Sequence, residues 1–357
     1  MKKGLIHITV EITLGKYQDQ LLNLEKKLES RLYCELISKE LFDGYIKYTL
    51  LYDTIANRIR IDEITIQQGA LKLMKNLYWQ YDKLPHMLIA GGTGSGKSYF
   101  ILTLLKINAK LYILDPKNSD LADLKQVLKD VYSKQEQMIE TLNIFYEEIM
   151  KRNEEMKTMS NYKTGENYAY LNLRPHFLIF DEYVAFMEML NTKESAQVLS
   201  KLKQIVMLGR QSGFFLILAC QRPDAKYLGD GIRDQFNFRV ALGRMSEMGY
   251  TMMFGETNKQ FYLKQIKGRG YVDNGNSVIS EFYTPKVPKG YDFLQEIRKI
   301  QQSMKQDMRK DMKQEVSPTT QTNIQTTIYT SPPTIPLTKS DDEDYLNKRE
   351  NSYSDSS

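Results

Sequence analysis

The sequence is poor in the residue types that build metal sites and disulfides. Its 357 residues include two cysteines, Cys34 and Cys220, and three histidines, His7, His86 and His176. These residues form no cluster at metal-ligand spacing, so the pattern gives no support to a metal-dependent hydrolase. Two thiols this far apart in the chain are typical of a protein from a reducing compartment.

Long apolar runs are also missing. Spanning a bilayer takes about 20 consecutive apolar residues, and the longest runs here, such as Phe214–Cys220, have the length of a buried strand. The first residues, MKKGLIH, lack the apolar stretch of a secretory signal peptide. We therefore expect a cytoplasmic protein. The net charge of +5 is small for this length and only weakly indicates a polyanionic partner.

Residues 1–83 predict a small N-terminal α+β module. Alternating β-branched residues predict a strand at 5–13, and further strands are predicted at 44–53 and 58–66. Leucines at helical spacing predict one amphipathic helix over 16–40. Its apolar face can pack on the module's own sheet or dock a partner, and we favour the first.

From residue 84 to residue 290, strands alternate with helices. The apolar runs predict strands at 86–90, 111–115, 177–181, 214–220 and 236–242. Helical spacing and turn signals predict helices at 96–106, 121–158 and 194–211, and a closing hairpin at 269–283. This alternation predicts a mostly parallel sheet flanked by helices, the α/β fold of a P-loop (RecA-like) NTPase.

The C-terminal part has a different composition. Residues 291–315 are rich in Lys, Gln and Met and predict a charged helix. Residues 316–357 are rich in Thr, Ser and Pro and then acidic, with too little apolar surface to form a core. We expect this tail to be disordered, and we favour a solubilising role over a docking role.

The most specific motif is a complete Walker A loop. Its members are Gly91, Gly92, Thr93, Gly94, Ser95, Gly96, Lys97 and Ser98. Phosphate binding needs several backbone N–H groups that converge on one anion, and the glycines leave room for that approach. The helix that follows adds its positive N-terminal end. We expect the loop to bind ATP, with Lys97 on the β- and γ-phosphates and the Ser98 hydroxyl on Mg²⁺.

A second motif, FLIFDE at 177–182, has the form of a Walker B motif, because an apolar strand ends there in two acids. Asp181 is expected to hold Mg²⁺, and Glu182 to polarise the attacking water. The alternative is a surface acidic pair that caps the next helix. The Walker A loop upstream favours the catalytic interpretation.

Two further side chains extend the predicted catalytic set. Gln221 follows a strand at a position where an amide can orient the lytic water, the alternative being a solvated strand end. Arg210 lies near the end of the preceding helix, and it can reach a neighbouring subunit's nucleotide as an arginine finger. It can also simply satisfy helix-terminal carbonyls. Arg239 and Arg244 compete for the finger role.

Together these segments resemble the FtsK/SpoIIIE family of double-stranded DNA translocases, across residues 84–285. The segments that carry the resemblance are LPHMLIAGGTGSGKS from Leu84, LDPK from Leu114, IFDE from Ile179, GRQSG from Gly209, LACQRP from Leu218 and KGRG from Lys267. Within the family, the chain is similar to the FtsK-like coupling proteins of Gram-positive conjugative transposons.

The resemblance implies a homo-hexameric, ATP-driven motor that translocates double-stranded DNA and hands it to a conjugation apparatus. A relaxase and other conjugation proteins are the implied partners. Family members usually carry N-terminal membrane helices, and the cell-division translocases end in a winged-helix reader of DNA, neither of which is seen in this sequence. We therefore expect contact with the inner face of the cell membrane only through partners or through an anchor missing at the N-terminus.

Three other functions are compatible with the same motifs. The chain can be a plasmid replication or packaging motor, or an ATP-binding scaffold that recruits a relaxase without translocation. A motor that acts on protein is the least favoured. The sequence does not identify the residues that would contact DNA, because the basic stretches 256–269 and 297–313 are also compatible with solvated surfaces.

Overall fold

The computed structural model describes residues 4–303 except 13, 14, 225, 263 and 277. The strands are β1 (Leu5–Glu11), β2 (Glu35–Phe42), β3 (Tyr45–Leu51), β4 (Ile66–Gln67), β5 (Ala70–Met74), β6 (Leu77–Gln80), β7 (Met87–Gly91), β8 (Lys110–Leu114), β9 (Val131–Tyr132), β10 (His176–Phe180), β11 (Phe214–Cys220), β12 (Phe238–Leu242), β13 (Arg269–Asp273) and β14 (Ile279–Tyr283). The helices are α1 (Gln18–Leu22), α2 (Glu25–Leu32), α3 (Lys97–Leu104), α4 (Gln135–Thr158), α5 (Tyr183–Met189), α6 (Thr192–Ser212), α7 (Asp230–Arg233) and α8 (Glu247–Phe254).

Residues 293–303 are also helical. The remainder of the predicted charged helix, 304–315, and the predicted disordered tail, 316–357, lie outside the described residues. Within the described part of the chain, no helix has the length and apolar character needed to cross a membrane.

An eight-stranded sheet forms the centre of the fold, in the order β14-β13-β12-β7-β11-β10-β8-β9. The strands from β12 to β9 run parallel, whereas β13 and β14 pair antiparallel at one edge. Helices connect most of the parallel strands along the chain. This arrangement confirms the predicted α/β fold with a mostly parallel sheet, and the hairpin predicted over 269–283 is confirmed as β13 and β14.

Both faces of the parallel strands are buried. Met87 and Ile89 of β7 pack into one apolar core, and Leu88 and Ala90 of the same strand pack into the other. A strand covered on both faces needs apolar side chains throughout, and for this reason the central strands have continuous apolar sequences. Because the strands are parallel, their carboxyl ends meet at one edge of the sheet, where the Walker motifs lie.

The predicted helix over 16–40 is wrong in its extent. Helices α1 and α2 take up the first part, and α2 ends at Leu32, before Tyr33, whose φ of 53° is left-handed. The chain then forms β2, which pairs with β3 in a three-stranded sheet of order β1-β3-β2. Leu36, which continued the helical spacing of the leucines, is instead buried in the core under this sheet. The strands predicted at 5–13 and 44–53 are confirmed as β1 and β3.

The predicted strand over 58–66 is also wrong. This stretch contains a 3₁₀ turn at Ile61–Glu63, and only its last residue enters the short strand β4. The pairing strands are β5 and β6, which form a second three-stranded sheet with β4. Trp79 of β6 is fully buried against Phe177 and Phe238 of the central sheet. The second small sheet therefore shares a core with the central sheet, and the predicted boundary at residue 84 stays a prediction.

The predicted helix over 121–158 begins later than expected. A 3₁₀ turn at Ala122–Gln126 and the edge strand β9 take up its first part, and α4 follows. Strand β9 pairs with β8, so this part of the chain extends the sheet before the helix can start. The short helices α5 and α8 were not predicted.

A partly buried charge network fixes the N-terminal sheet to the closing hairpin. The Lys259 ammonium donates to the carboxylates of Glu29 and Glu35 at 2.7 and 2.5 Å. Glu35 also accepts the backbone N–H of Glu281 in β14 at 2.6 Å. Val278 of the hairpin packs into the apolar core of the N-terminal sheet. Burial opposes the charge on Lys259, but the two carboxylates outweigh it and raise the pKa of this lysine.

His86, immediately before β7, ties three elements of the core together. Its Nδ1 accepts the backbone N–H of Leu216 in β11 at 3.0 Å. Its Nε2 therefore carries the proton and donates to the carbonyl of Val206 in α6 at 3.0 Å. Burial lowers the pKa of His86 to about 4. The histidine of the Pro-His pair in front of the Walker A loop thus has a structural role in this fold.

The neutral state of His86 makes stability depend on pH. In the unfolded chain this imidazole takes up a proton near pH 6.5, whereas in the folded chain it stays neutral down to about pH 4. The unfolded state thus binds more protons, so we expect stability to fall as the pH falls through this window, by up to about 3 kcal/mol. Chemical denaturation at pH 7.5, 6 and 5 measures this. The stability difference between wild type and His86→Gln should shrink with falling pH, and a constant difference would contradict the assignment.

Candidate active site

The Walker A loop connects the end of β7 to the start of α3. Gly94 and Gly96 have φ values of 78° and 98°, a region that favours glycine. A side chain on Gly91 would approach the Ser95 hydroxyl to 2.6 Å and the Leu242 carbonyl to 3.1 Å. The turn therefore requires glycine for two separate reasons, backbone conformation and close packing.

The loop lines a cleft of about 320 Å³. A Cβ on Gly92 or Gly94 would meet nothing within 4 Å, so the backbone there is open to an incoming anion. The predicted loop residues Gly91, Gly92, Thr93, Gly94, Gly96, Lys97 and Ser98 all line this cleft. The Ser95 hydroxyl is buried and has no hydrogen-bond partner among the described residues. This open, donor-rich backbone ahead of a helix N-terminus fits the phosphates of ATP.

Lys97 is buried and faces both acids of the second motif. Its ammonium donates to Asp181 Oδ1 and to Glu182 Oε1, each at 2.7 Å. Burial opposes the charge on Lys97, but the two carboxylates outweigh it and raise the pKa of the ammonium. Burial raises the pKa of Asp181, with Lys97 acting in the opposite direction. The structure therefore brings the predicted residues of both Walker motifs into direct contact.

Glu182 has an unusual backbone and two cationic neighbours. Its φ of 46° is left-handed, which is costly for a residue other than glycine, and such strain is concentrated at functional sites. Its second carboxylate oxygen lies 3.1 Å from the Lys117 ammonium. Burial alone would raise the pKa of Glu182, but Lys97 and Lys117 lower it. Glu182 makes no side-chain capping bond to α5, so the alternative of a helix-capping acidic pair is not what the structure shows.

Lys117 is a site residue to which the sequence interpretation gave no role. Asp115, fully buried at the end of β8, accepts the backbone N–H groups of Lys117, Ser119 and Ala122 at 3.1, 2.8 and 3.1 Å. These bonds shape the loop that carries Lys117 to Glu182. The LDPK segment was recognised only as part of the family resemblance. Its position at the carboxyl end of a parallel strand was the signal for a site residue.

The four remaining predicted residues lie in different settings. Gln221 follows β11 directly and lines the cleft. Arg210 is exposed in the last turn of α6, before β11 begins, and hence at the sheet edge opposite the Walker A loop. Arg239 donates to the carbonyls of neighbouring segments, among them Phe236 at 2.6 Å, which is a structural role. Arg244 is exposed just after β12, on the edge that carries the loop.

Ser98 and Asp181 are suitable in kind for a magnesium ion. A hydroxyl and a carboxylate are hard oxygen donors, which Mg²⁺ prefers. Ser98 is half-buried on the first turn of α3, in the cleft that also contains Lys97 and Glu182. Together the parallel sheet, the Walker A loop and the paired acids define a P-loop ATPase.

Comparison with known proteins finds a matching family domain and homologous proteins. The FtsK/SpoIIIE family profile matches residues 62–172. The chain is 54% identical over 303 residues to the Ftsk domain-containing protein YdcQ of Bacillus subtilis, across 84% of this chain and 63% of that protein. It is 26% identical over 243 residues to the DNA translocase FtsK of Helicobacter pylori, across 61% of this chain and 28% of that protein. The chain thus contains an FtsK/SpoIIIE-family domain and is homologous to FtsK-like proteins, while spanning less than two thirds of either relative.

A solved structure supports the fold. The pCW3 conjugation coupling protein TcpA, in its monomer form with ATPγS, superposes with a TM-score of 0.61 at 21% identity. The match covers 84% of this chain and 90% of that chain. At this level of identity the likeness concerns the fold.

Removing Lys97 should leave the buried Asp181 carboxylate without its cation, while Glu182 keeps Lys117. We expect Lys97→Met to lower the free energy of unfolding by roughly 3 kcal/mol at pH 8. At pH 5 the loss should be smaller, because Asp181 in the variant can take up a proton, and a group whose folded-state pKa is raised gains stability as the pH falls. Urea denaturation at both pH values measures this.

The matched control is Lys117→Met, because the Lys117 ammonium is 43% exposed and pairs only with Glu182 among the described residues. Its expected loss is below about 1 kcal/mol. An equal loss for Lys97→Met at both pH values would show that the carboxylates are not stabilised by this lysine.

Proposed function

We propose that this protein hydrolyses ATP and uses the reaction to translocate double-stranded DNA, as a coupling protein in the conjugative transfer of a mobile element. The observation that carries the proposal is the buried contact of Lys97 with Asp181 and Glu182 at the Walker A loop. The FtsK/SpoIIIE match and the DNA translocase among the relatives favour DNA as the substrate. The likeness to a conjugation coupling protein supports the more specific role.

The contacts of Lys97 suggest how the site works. Phosphate oxygens of ATP compete with the two carboxylates for the Lys97 ammonium, and the exchange releases both acids. Asp181 and Ser98 would hold Mg²⁺, which would neutralise charge on the phosphates. Glu182 accepts a hydrogen bond from the attacking water and aligns it, with Gln221 as a second orienting group. Lys97 and Lys117 together lower the pKa of the Glu182 carboxylate against the effect of burial.

The translocation proposal needs a ring. Six copies would place each nucleotide at an interface, with Arg210 of one copy reaching the cleft of the next. Its position at the far edge of its own sheet excludes a role in its own cleft but suits a role in a neighbour's. Loops in the ring would hold DNA phosphates mainly by charge, which gives little sequence preference and strong salt dependence. A relaxase and membrane-bound conjugation proteins are the proposed partners at the inner face of the membrane.

The stimulation of ATP hydrolysis by DNA tests the motor. We expect duplex DNA to raise the ATPase rate several-fold, because a translocase couples ATP hydrolysis to movement along DNA. Glu182→Gln should lower the stimulated rate by about 100-fold or more, since general-base catalysis contributes 10²–10⁴-fold. Glu182→Gln should leave ATP binding intact, whereas Lys97→Ala should lose both ATP binding and DNA-stimulated hydrolysis.

The scaffold alternative predicts a different pattern. An ATP-binding scaffold would show no stimulation by DNA, and Lys97→Ala would still support transfer of the element between cells. A plasmid replication or packaging motor would show stimulation, but deletion of the gene would leave conjugative transfer unchanged. These outcomes separate the three functions.

Mixing subunits tests Arg210. Arg210→Ala and Lys97→Ala should each be inactive alone, because each lacks one half of every interfacial site. In an equimolar mixture about a quarter of the interfaces pair an intact lysine with an intact arginine, so DNA-stimulated hydrolysis should recover in part. The same mixture made with Arg244→Ala is the control. If hydrolysis recovered when Lys97→Ala was mixed with Arg244→Ala but not with Arg210→Ala, Arg244 would be the arginine finger.

A further inference from the structure

A second cleft, of about 460 Å³, opens directly from the phosphate cleft. The two clefts share Gly96, Tyr99 and Lys267, whereas Glu182 and Gln221 line the phosphate cleft alone. A molecule lying along the Walker A loop would thus have one end at Glu182 and the other at the second cleft.

The walls of the second cleft are aromatic and apolar. Tyr99 of α3 is 48% exposed, so one part of its ring is open. The rest is held in place, because its ring packs edge-on against Phe293 with centroids 5.7 Å apart at 81°. Phe293 in turn packs against Tyr291 at 4.9 Å. With Pro285 lining the same space, the cleft presents flat, apolar surfaces suited to a planar ring.

The cleft is built by close backbone packing. A Cβ on Gly96 would lie 3.3 Å from the Cα of Gly268, so the Walker A loop rests directly on the segment that enters β13. A Cβ on Gly268, whose φ is +77°, would lie 2.2 Å from the Thr284 hydroxyl. Arg58 donates from Nε to the Thr284 carbonyl at 2.8 Å. The Lys286 N–H bonds to the Ile59 carbonyl at 2.8 Å and joins the 285–287 segment to the chain before β4.

Positive charge surrounds this apolar space. Arg58, Lys267, Lys286 and Lys289 line the cleft, and the Lys267 ammonium lies 5.4 Å from the centroid of the Tyr99 ring. These cations suit the part of a nucleotide where an anionic phosphate joins a neutral sugar and base. No carboxylate is among the described residues that line the cleft.

We propose that the second cleft binds the nucleobase and ribose of the ATP whose triphosphate lies on residues 91–98, with the base stacked on Tyr99. This inference rests on the ATP binding proposed above. Base stacking on an aromatic side chain is worth about tenfold in affinity or more. The base-binding residues would come from four separate parts of the chain, of which only Tyr99 adjoins a Walker motif.

The test compares ATP with inorganic tripolyphosphate, which has the phosphate chain but no base. Binding of each to the full chain, with Mg²⁺ present, is measured by isothermal titration calorimetry. Tyr99→Ala should weaken ATP binding about tenfold and leave tripolyphosphate binding unchanged. Tyr99→Phe, which keeps the ring, should bind ATP like wild type. Tyr170→Ala removes a tyrosine of similar exposure, 47%, that lies outside both clefts, and should change neither.

Two results would overturn the proposal. Equal weakening of both ligands by Tyr99→Ala would assign Tyr99 to the phosphate site, and unchanged ATP binding would place the base elsewhere. Photolabelling with 8-azido-ATP gives a second readout, because the adduct should map to peptides containing Tyr99 or residues 284–291. If wild type bound neither ligand, the proposed ATPase function would fail instead, so the two failures are distinguishable.

Discussion

The buried ammonium of Lys97 holds the candidate site together. The Lys97 ammonium and the carboxylates of Asp181 and Glu182 lie together at the carboxyl edge of the sheet. Burying a charge costs free energy, and the opposite charges of these groups offset that cost. The parallel strands supply the position: β7 leads into the Walker A loop and β10 ends in the two acids, while β8 delivers the loop that carries Lys117. The strands must be buried on both faces to fix this edge, and the two apolar cores that cover them are the larger part of the fold.

The sequence was informative where the structural requirement is local. The Walker A loop is visible because consecutive residues must provide converging N–H groups, which only glycines at fixed positions allow. The central strands are visible because burial on both faces demands an unbroken apolar run. The positions of Asp181 and Gln221 directly after those strands could be predicted from the sequence alone, and their catalytic roles stay predictions.

The remaining features depend on residues that are far apart in the chain. Leucine spacing continued smoothly from α2 to Leu36, but the left-handed turn at Tyr33 and pairing with β3 made that region a strand. The sheet of β4, β5 and β6 is stabilised by Trp79 packing against Phe177 and Phe238, which no local pattern reveals. The second cleft combines Arg58, Tyr99 and the 284–291 segment, so it exists only after folding. The fold class could thus be predicted, but the small sheets and the cleft could not.

The contact between Gly96 and Gly268 has a mechanical consequence. It places the Walker A loop on the base of the β13–β14 hairpin. The other side of that hairpin contacts the N-terminal sheet through Glu35, Lys259 and Val278. Two glycines without side chains leave no compressible layer between these parts. We therefore expect a small shift of the Walker A loop to displace the hairpin and the N-terminal sheet together, as one rigid unit.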